Sequence, residues 1–241
     1  MMPAETLKAT IPVPAEQARL VALDGPSSPA AQQYRVLHQR LVRLAARRPL
    51  RVVAITSAGR REGRTTTAAN LALTAAQEGR ATVLVEGDLR RPSIGALLGL
   101  APRAGLAEVI EGKAELAQAV TRLGPLAVLC AGGDGADTPL RNPRVQAVME
   151  QLRAAYDLVV VDAPPALAFA DGDRLVATAD AAVLVVRAGT TPRQVVRLAL
   201  ESLGERAVGV VLNDVDAGAI AHGRWILEGS SGAADARSSN G

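Results

Sequence analysis

The sequence predicts an α/β fold: a single domain built on a mainly parallel sheet with helices on both faces. Three observations carry that prediction. Short, unbroken apolar runs alternate with longer segments of helical periodicity, and strands that read as continuous apolar runs belong to parallel sheets buried on both sides. The chain has 241 residues, of which 49% are apolar, enough for one substantial core. The aromatic residues are only Trp225, Tyr34, Tyr156 and Phe169, so Ala, Val and Leu must fill the space between sheet and helices.

Residues 1–29 are rich in Pro, Ala and Ser and end in Gly25-Pro26-Ser27-Ser28-Pro29, a flexible, extended lead-in whose prolines suit neither helix nor central strand. From Ala30 to Arg48, Leu37, Leu41 and Leu44 mark one face of an amphipathic helix. Arg40, Arg43 and Arg47 repeat the spacing on another face and read as a solvated stripe. Arg51 to Thr56 is a strand, Ser57 to Gly63 a loop and Thr65 to Glu78 a helix. The pattern then repeats. Strands are expected over Ala81–Val85, Leu126–Cys130, Leu158–Val161, Ala181–Val186 and Val208–Leu212. Helices are expected over Ser93–Leu98, Ala114–Leu123, Asn142–Ala155, Gly172–Ala177 and Pro192–Leu203. The domain is expected to run over 30–228, and the Gly/Ser/Ala tail 229–241 to be disordered.

Composition narrows the partners. Twenty-seven basic residues face 24 acidic ones, a net charge of +3, so global charge does not single out nucleic acid. The scarcity of aromatics argues against stacking platforms for single strands. The single cysteine, Cys130, excludes an internal disulfide framework and reads as a small buried apolar residue. Met1 to Pro14 lacks a basic start followed by an apolar stretch, and no run approaches the roughly 20 apolar residues of a membrane span. A cytoplasmic chain, brought to the membrane only by a partner, is the expectation. His38 and His222 have no visible metal or nucleophile partner and receive no role.

The chemistry concentrates where open α/β sheets bind ligands, at the carboxyl ends of the strands. The first strand feeds Ser57-Ala58-Gly59-Arg60-Arg61-Glu62-Gly63-Arg64-Thr65-Thr66. It resembles the phosphate-loop pattern G-x-x-x-x-G-K-[ST], but with Ala58 at the first glycine and Arg64 at the lysine. The second strand ends Glu86-Gly87-Asp88-Leu89-Arg90-Arg91-Pro92, and a later one ends Asp162-Ala163-Pro164-Pro165. Magnesium at a phosphate site takes a hydroxyl, one or two carboxylates and the phosphates themselves, which Thr65, Asp162 and the Glu86/Asp88 pair supply. The first turn lacks G-x-G-x-x-G, which disfavours a dinucleotide dehydrogenase.

In this order the motifs resemble the bacterial tyrosine kinases of capsule and exopolysaccharide synthesis (BY-kinases), a branch of the P-loop NTPases related to the ParA/MinD ATPases. The family's pattern, an altered Walker A loop, then an apolar strand ending D-x-D-x-R-R-P, then a Walker B strand ending D-T-P-P, is matched in order here. The likeness runs from about Ser28 to Asp216 and includes Ser28 to Leu37, Ala68-Ala69-Asn70-Leu71-Ala72, Asp180 to Thr191 and Gly209 to Asn213. It implies ATP and Mg2+ as cofactors. Residues Gly59, Arg60, Arg61, Glu62, Gly63, Arg64, Thr65 and Thr66 would form the phosphate loop, with the amides from Arg61 to Thr66 cradling the phosphates. Thr65 would ligate magnesium directly and Asp162 through water. Glu86 and Asp88 would sit by the γ-phosphate, one assisting the metal and the other taking a proton from an incoming hydroxyl. Arg64 would take the lysine's place, Arg90 would belong to the catalytic set, and Asn213 would contact the adenine, although a turn after a strand also accounts for it.

The resemblance further implies a homo-oligomer, with the Arg40/Arg43/Arg47 stripe against a neighbour, and a membrane polysaccharide co-polymerase, or chain-length regulator, as partner. Departures bear on activity. Arginine is a planar fork rather than a point charge, Arg61 stands at a family loop glycine, and Glu86 replaces an aspartate. The family's C-terminal tyrosine cluster is absent, which leaves Tyr34 and Tyr156 as the only tyrosines. Three readings stay open: a kinase or ATPase, an inactive regulatory subunit docking on the co-polymerase, and a ParA/MinD-like positioning ATPase. The last would call for a basic amphipathic tail helix that this sequence lacks.

Overall fold

The computed structural model describes residues 20–215 except 26, 102, 134–139, 141 and 169, and only the backbone of residues 24 and 170–173. The tail 229–241, His222 and residues 1–19 lie outside the described residues. The elements in chain order are α1 (Val21–Asp24), α2 (Pro29–Ala45), β1 (Val52–Ser57), α3 (Arg64–Gln77), β2 (Thr82–Glu86), α4 (Ile94–Leu97), α5 (Leu106–Glu111) and α6 (Leu116–Ala119). They continue with β3 (Thr121–Leu123), β4 (Leu126–Leu129), α7 (Arg144–Ala155), β5 (Leu158–Asp162), α8 (Ala170–Ala177), β6 (Ala181–Arg187), α9 (Arg193–Leu203) and β7 (Ala207–Asn213).

The strands form one seven-stranded sheet in the order β3-β4-β2-β5-β1-β6-β7. Every pairing is parallel except β3 with β4. Successive strand residues point to opposite faces, and the core divides accordingly. Val52 and Ala54 of β1 join one apolar cluster with Leu106, Leu152 and Leu175. Val53 and Ile55 join the other, with Leu41, Leu71 and Ile94. α3 lies against the sheet centre; Ala68, Ala69, Leu71, Ala72 and Ala75 are fully buried, and small alanines let the helix sit close to the strands. The parallel sheet with helices on both faces is therefore as expected.

Three local expectations are corrected. Residues 20–25, assigned to an extended lead-in, pack on α3: Leu20 is buried, Asn70 Oδ1 accepts from the Ala22 amide at 3.1 Å, and Gln77 Nε2 donates to the Ala22 carbonyl at 3.0 Å. The helix expected over Ala114–Leu123 is a single short turn, α6, followed by β3. Val120 leaves the helix with ψ 126°, and Thr121 to Leu123 pair antiparallel with β4 around a turn at Gly124, φ +58°. Edge pairing outweighs helix propensity over so short a segment. Helix α5 has no counterpart in the sequence reading. It is held by tertiary bonds from the Leu106 and Ala107 amides to the Cys130 and Ala131 carbonyls, at 2.8 and 2.9 Å.

Candidate phosphate-binding site

β1, β2, β5, β6 and β7 end at one edge of the sheet, and the register sets Ile55 and Glu86 beside Asp162. Two backbone bonds fix that corner, from the Gly87 amide to the Asp162 carbonyl and from the Ala163 amide to the Ile55 carbonyl, both 2.9 Å. Thr56 Oγ1 donates to the Pro164 carbonyl at 2.7 Å and holds the turn after Asp162.

The loop after β1 winds back to Gly63, which caps α3 at φ +90°. Glycine is required there twice over: the φ is left-handed, and a Cβ would come within 2.0 Å of Asn213 Nδ2. The first bond of α3 runs from the Thr67 amide to the Gly63 carbonyl at 2.9 Å. A helix start leaves the amides before that bond unpaired and adds the positive end of its dipole, which together suit an anion. Arg61 sits at φ +59°, in the left-handed region that glycine takes more freely.

Glu62 shapes the loop from inside. Its carboxylate accepts from the Ala58 amide at 3.0 Å and from Thr191 Oγ1 at 2.8 Å, while its carbonyl accepts from Asn213 Nδ2 at 3.0 Å. The loop is thereby pinned to the ends of β6 and β7. Asn213, expected beside the adenine, flanks the loop and spends its amide on this bond.

Arg64, Thr65, Asp88 and Asp162 come together at this edge. Thr65 Oγ1 donates to Asp162 Oδ2 at 2.7 Å. Arg64 donates from Nε to Asp162 Oδ1 at 2.7 Å and from Nη2 to Asp88 Oδ2 at 2.9 Å. Burial pushes the Asp162 carboxyl upward, against the Arg64 charge and the bonds from Thr65 and Arg64, with Glu86 adding to the rise; the net direction is up. Glu86 is placed differently from the metal-assisting role. One oxygen accepts from the Ser93 amide and, at 2.5 Å, from the Ile94 amide, and the other from the Ala131 amide at 3.0 Å. Its carboxylate thus caps α4 and ties β4 to β2. Arg60, Arg61 and Arg90 are exposed around the rim, while Gly59 and Thr66 are half-buried.

Two contributors went unnoticed in the sequence. Ser93 Oγ donates to Thr65 Oγ1 at 3.3 Å; its signal is only its position after Arg90-Arg91-Pro92. The other is Thr191, which holds Glu62. Among the remaining residues, the Cys130 thiol is pushed up to about 11 by burial and by the Glu86 charge, so it stays protonated. His38, given no role, is buried with Nδ1 2.7 Å from Glu78 Oε2. Tyr156 packs at the core's margin before β5, and burial pushes the Tyr34 phenol above its ordinary value.

Among the described residues no group of three or more His, Cys, Asp or Glu side chains is arranged to hold a metal ion. The donors suit magnesium in kind instead: a hydroxyl and one or two carboxylates, with phosphates and waters completing an octahedron.

A strand, a loop closing on a left-handed glycine, and a helix start whose hydroxyl rests on the acid of a neighbouring strand make up the P-loop NTPase layout. The chain is 33% identical over 204 residues to tyrosine-protein kinase YwqD of Bacillus subtilis, covering 82% of this chain and 86% of the relative. It belongs to the bacterial tyrosine kinase family. It is also 32% identical to the succinoglycan biosynthesis transport protein ExoP of Rhizobium meliloti over 85% of this chain, but spans only 27% of that longer protein. The kinase domain of Escherichia coli tyrosine kinase ETK superposes with a TM-score of 0.76 at 28% identity, over 81% of this chain and 80% of that one. The septum site-determining protein MinD of Pyrococcus horikoshii, solved with Mg-ADP, shares the fold with a TM-score of 0.59 at 24% identity, over 67% of this chain and 69% of that one. No protein-family model matches the chain. Among the described residues no helix is long and apolar enough to cross a membrane.

Proposed function

We propose that this chain binds ATP at the loop from Ala58 to Thr66 and regulates exopolysaccharide or capsule synthesis as a protein-tyrosine kinase. The observation that carries the reading is the convergence of Arg64 and Thr65, at the start of α3, on the buried acid of β5. The amides from Arg61 to Thr66 would cradle the phosphates, and Asn213 would turn its remaining oxygen to the adenine. Thr65 and Asp162 would hold Mg2+, which neutralises phosphate charge. Asp88 would accept the proton of an incoming tyrosine hydroxyl, with Arg90 at the rim to steady the acceptor. Glu86, saturated by backbone amides, would keep α4 and β4 in place.

The proposed acceptor or docking partner is the cytoplasmic end of a membrane polysaccharide co-polymerase, which would bring a cytoplasmic chain to the membrane. A second copy of this chain would meet the exposed Arg40, Arg43 and Arg47. These line, with Leu37, Leu44 and Val210, a groove of about 350 Å³ between α2 and β7.

Transfer of labelled phosphate from ATP to a glutamate–tyrosine copolymer tests the reading. It should fall by about 10²-fold or more in Asp88→Asn while ATP binding persists. Intact binding with no transfer by the wild type would favour the second reading, a nucleotide-binding regulatory subunit. Two observations favour that alternative: the left-handed Arg61 and the engagement of Arg64 by two acids.

A further inference from the structure

Arg64 stands where the family pattern has lysine, and its guanidinium bridges two acids. Nε donates to Asp162 Oδ1 at 2.7 Å and Nη2 to Asp88 Oδ2 at 2.9 Å, while Thr65 takes the other Asp162 oxygen at 2.7 Å. The three partners are sheltered, with side chains 12%, 11% and 1% exposed for Arg64, Asp88 and Asp162. A planar fork spans two acids with separate donors, which the point charge of lysine does less well. These acids are the charged oxygens a divalent cation would be drawn to. With the guanidinium seated, one oxygen of Asp162 and one of Asp88 each hold an Arg64 donor, and an entering cation meets a positive charge.

We propose that Arg64 is a tethered competitor for the divalent cation, seated on Asp88 and Asp162 until nucleotide phosphates draw it away. Nucleotide then strengthens metal binding. The competition is read from the ion pairs alone; the release step rests on the nucleotide reading above. Two hydrogens on Nη1 and one on Nη2 have no protein partner among the described residues, and they offer a phosphate its first hold. Phosphate oxygens accept the same charge-assisted, two-pronged bond as a carboxylate. Arg64 is the first residue of α3, directly after the loop, so rotation of its long side chain would carry the guanidinium from the acids toward phosphates held by the loop. The coupling is reciprocal: whatever factor nucleotide adds to metal affinity, metal adds to nucleotide affinity.

Mn2+ binding, read by paramagnetic resonance of the free ion, tests this on the full chain. Without nucleotide, the wild type should bind Mn2+ at least about tenfold more weakly than Arg64→Gln, which removes the charge but keeps most of the length. Saturating ADP, after correction for the Mn-ADP complex, should tighten Mn2+ binding to the wild type by at least about tenfold and to Arg64→Gln by much less. Arg64→Lys should fall between the two and serves if Arg64→Gln does not fold. Equal Mn2+ affinity of the wild type and the folded variant without nucleotide would overturn the competition. Equal wild-type affinity with and without bound ADP would overturn the release. Failure of the wild type to bind ADP would instead count against the nucleotide reading, while the metal-alone comparison still decides whether Arg64 competes.

Discussion

Arg61→Gly should make the nucleotide-free protein more stable, although it removes an arginine from the proposed phosphate loop. Arg61 sits at φ +59° and its side chain is exposed. A left-handed conformation costs an L-residue about 1–2 kcal/mol, and glycine gives back about 0.5–1 kcal/mol through the greater freedom of the unfolded chain. With little packing to lose, the balance is about 0.5–1 kcal/mol in favour of glycine. For a domain of this size, 1 kcal/mol moves Tm by about 2–4 °C, so a rise of about 1–4 °C is expected. The assay is thermal unfolding by circular dichroism without nucleotide, beside Arg60→Gly as control. Arg60 is not among the left-handed residues, so glycine there should lower stability by about 0.5–1 kcal/mol. Tm falling equally in both variants would refute the argument from backbone conformation.

Two further predictions concern the scaffold. Asp180 joins β6 to β1 and α7, accepting from the Arg51 and Val52 amides at 2.7 and 2.8 Å and from Arg153 Nη1 at 2.8 Å. Burial pushes its carboxyl up, but those donors outweigh burial and hold it below its usual value. Its stabilisation is therefore present above the unfolded value of about 4 and is lost as pH falls through the depressed folded one. Asp180→Asn should cost about 2 kcal/mol at neutral pH in urea unfolding, with the gap closing below about pH 4; a gap that does not change with pH would contradict this. Gly105→Ala should cost about 3 kcal/mol, because a Cβ there would lie 2.3 Å from the Cys130 carbonyl oxygen and 2.4 Å from the Gly132 amide nitrogen. Gly209→Ala, with nothing within 4 Å, should change stability by less than about 0.5 kcal/mol; equal losses would show that close approach is not what Gly105 provides.

The sheet and the heart of the site were legible because their signals are local. β1, β2, β5 and β6 are buried on both faces and read as continuous apolar runs, and each delivers its polar residues where the run stops. Thr65 and Asp162 meet because strand, loop and helix follow one another in sequence and β5 pairs beside β1. What escaped reading depends on partners far along the chain. Glu86 looked like a metal-assisting acid, but its role is set by the amides of Ser93, Ile94 and Ala131, and backbone donors leave no mark in a sequence. Glu62 turns inward onto Thr191, 129 residues away. β3 is three residues long, too short to show a period, and α5 exists because β4's end receives its first amides. Leu20 is buried by α3 although the prolines around it suggest an unattached segment.

The central claim, that this loop is a nucleotide phosphate site working through Asp162, is tested most directly by calorimetric titration of ATP with Mg2+ into the wild type and Asp162→Asn. Saturable one-site binding by the wild type, weakened by about tenfold or more in a folded Asp162→Asn, is the predicted result. No saturable heat from the folded wild type, or equal affinity in the two proteins, would contradict it.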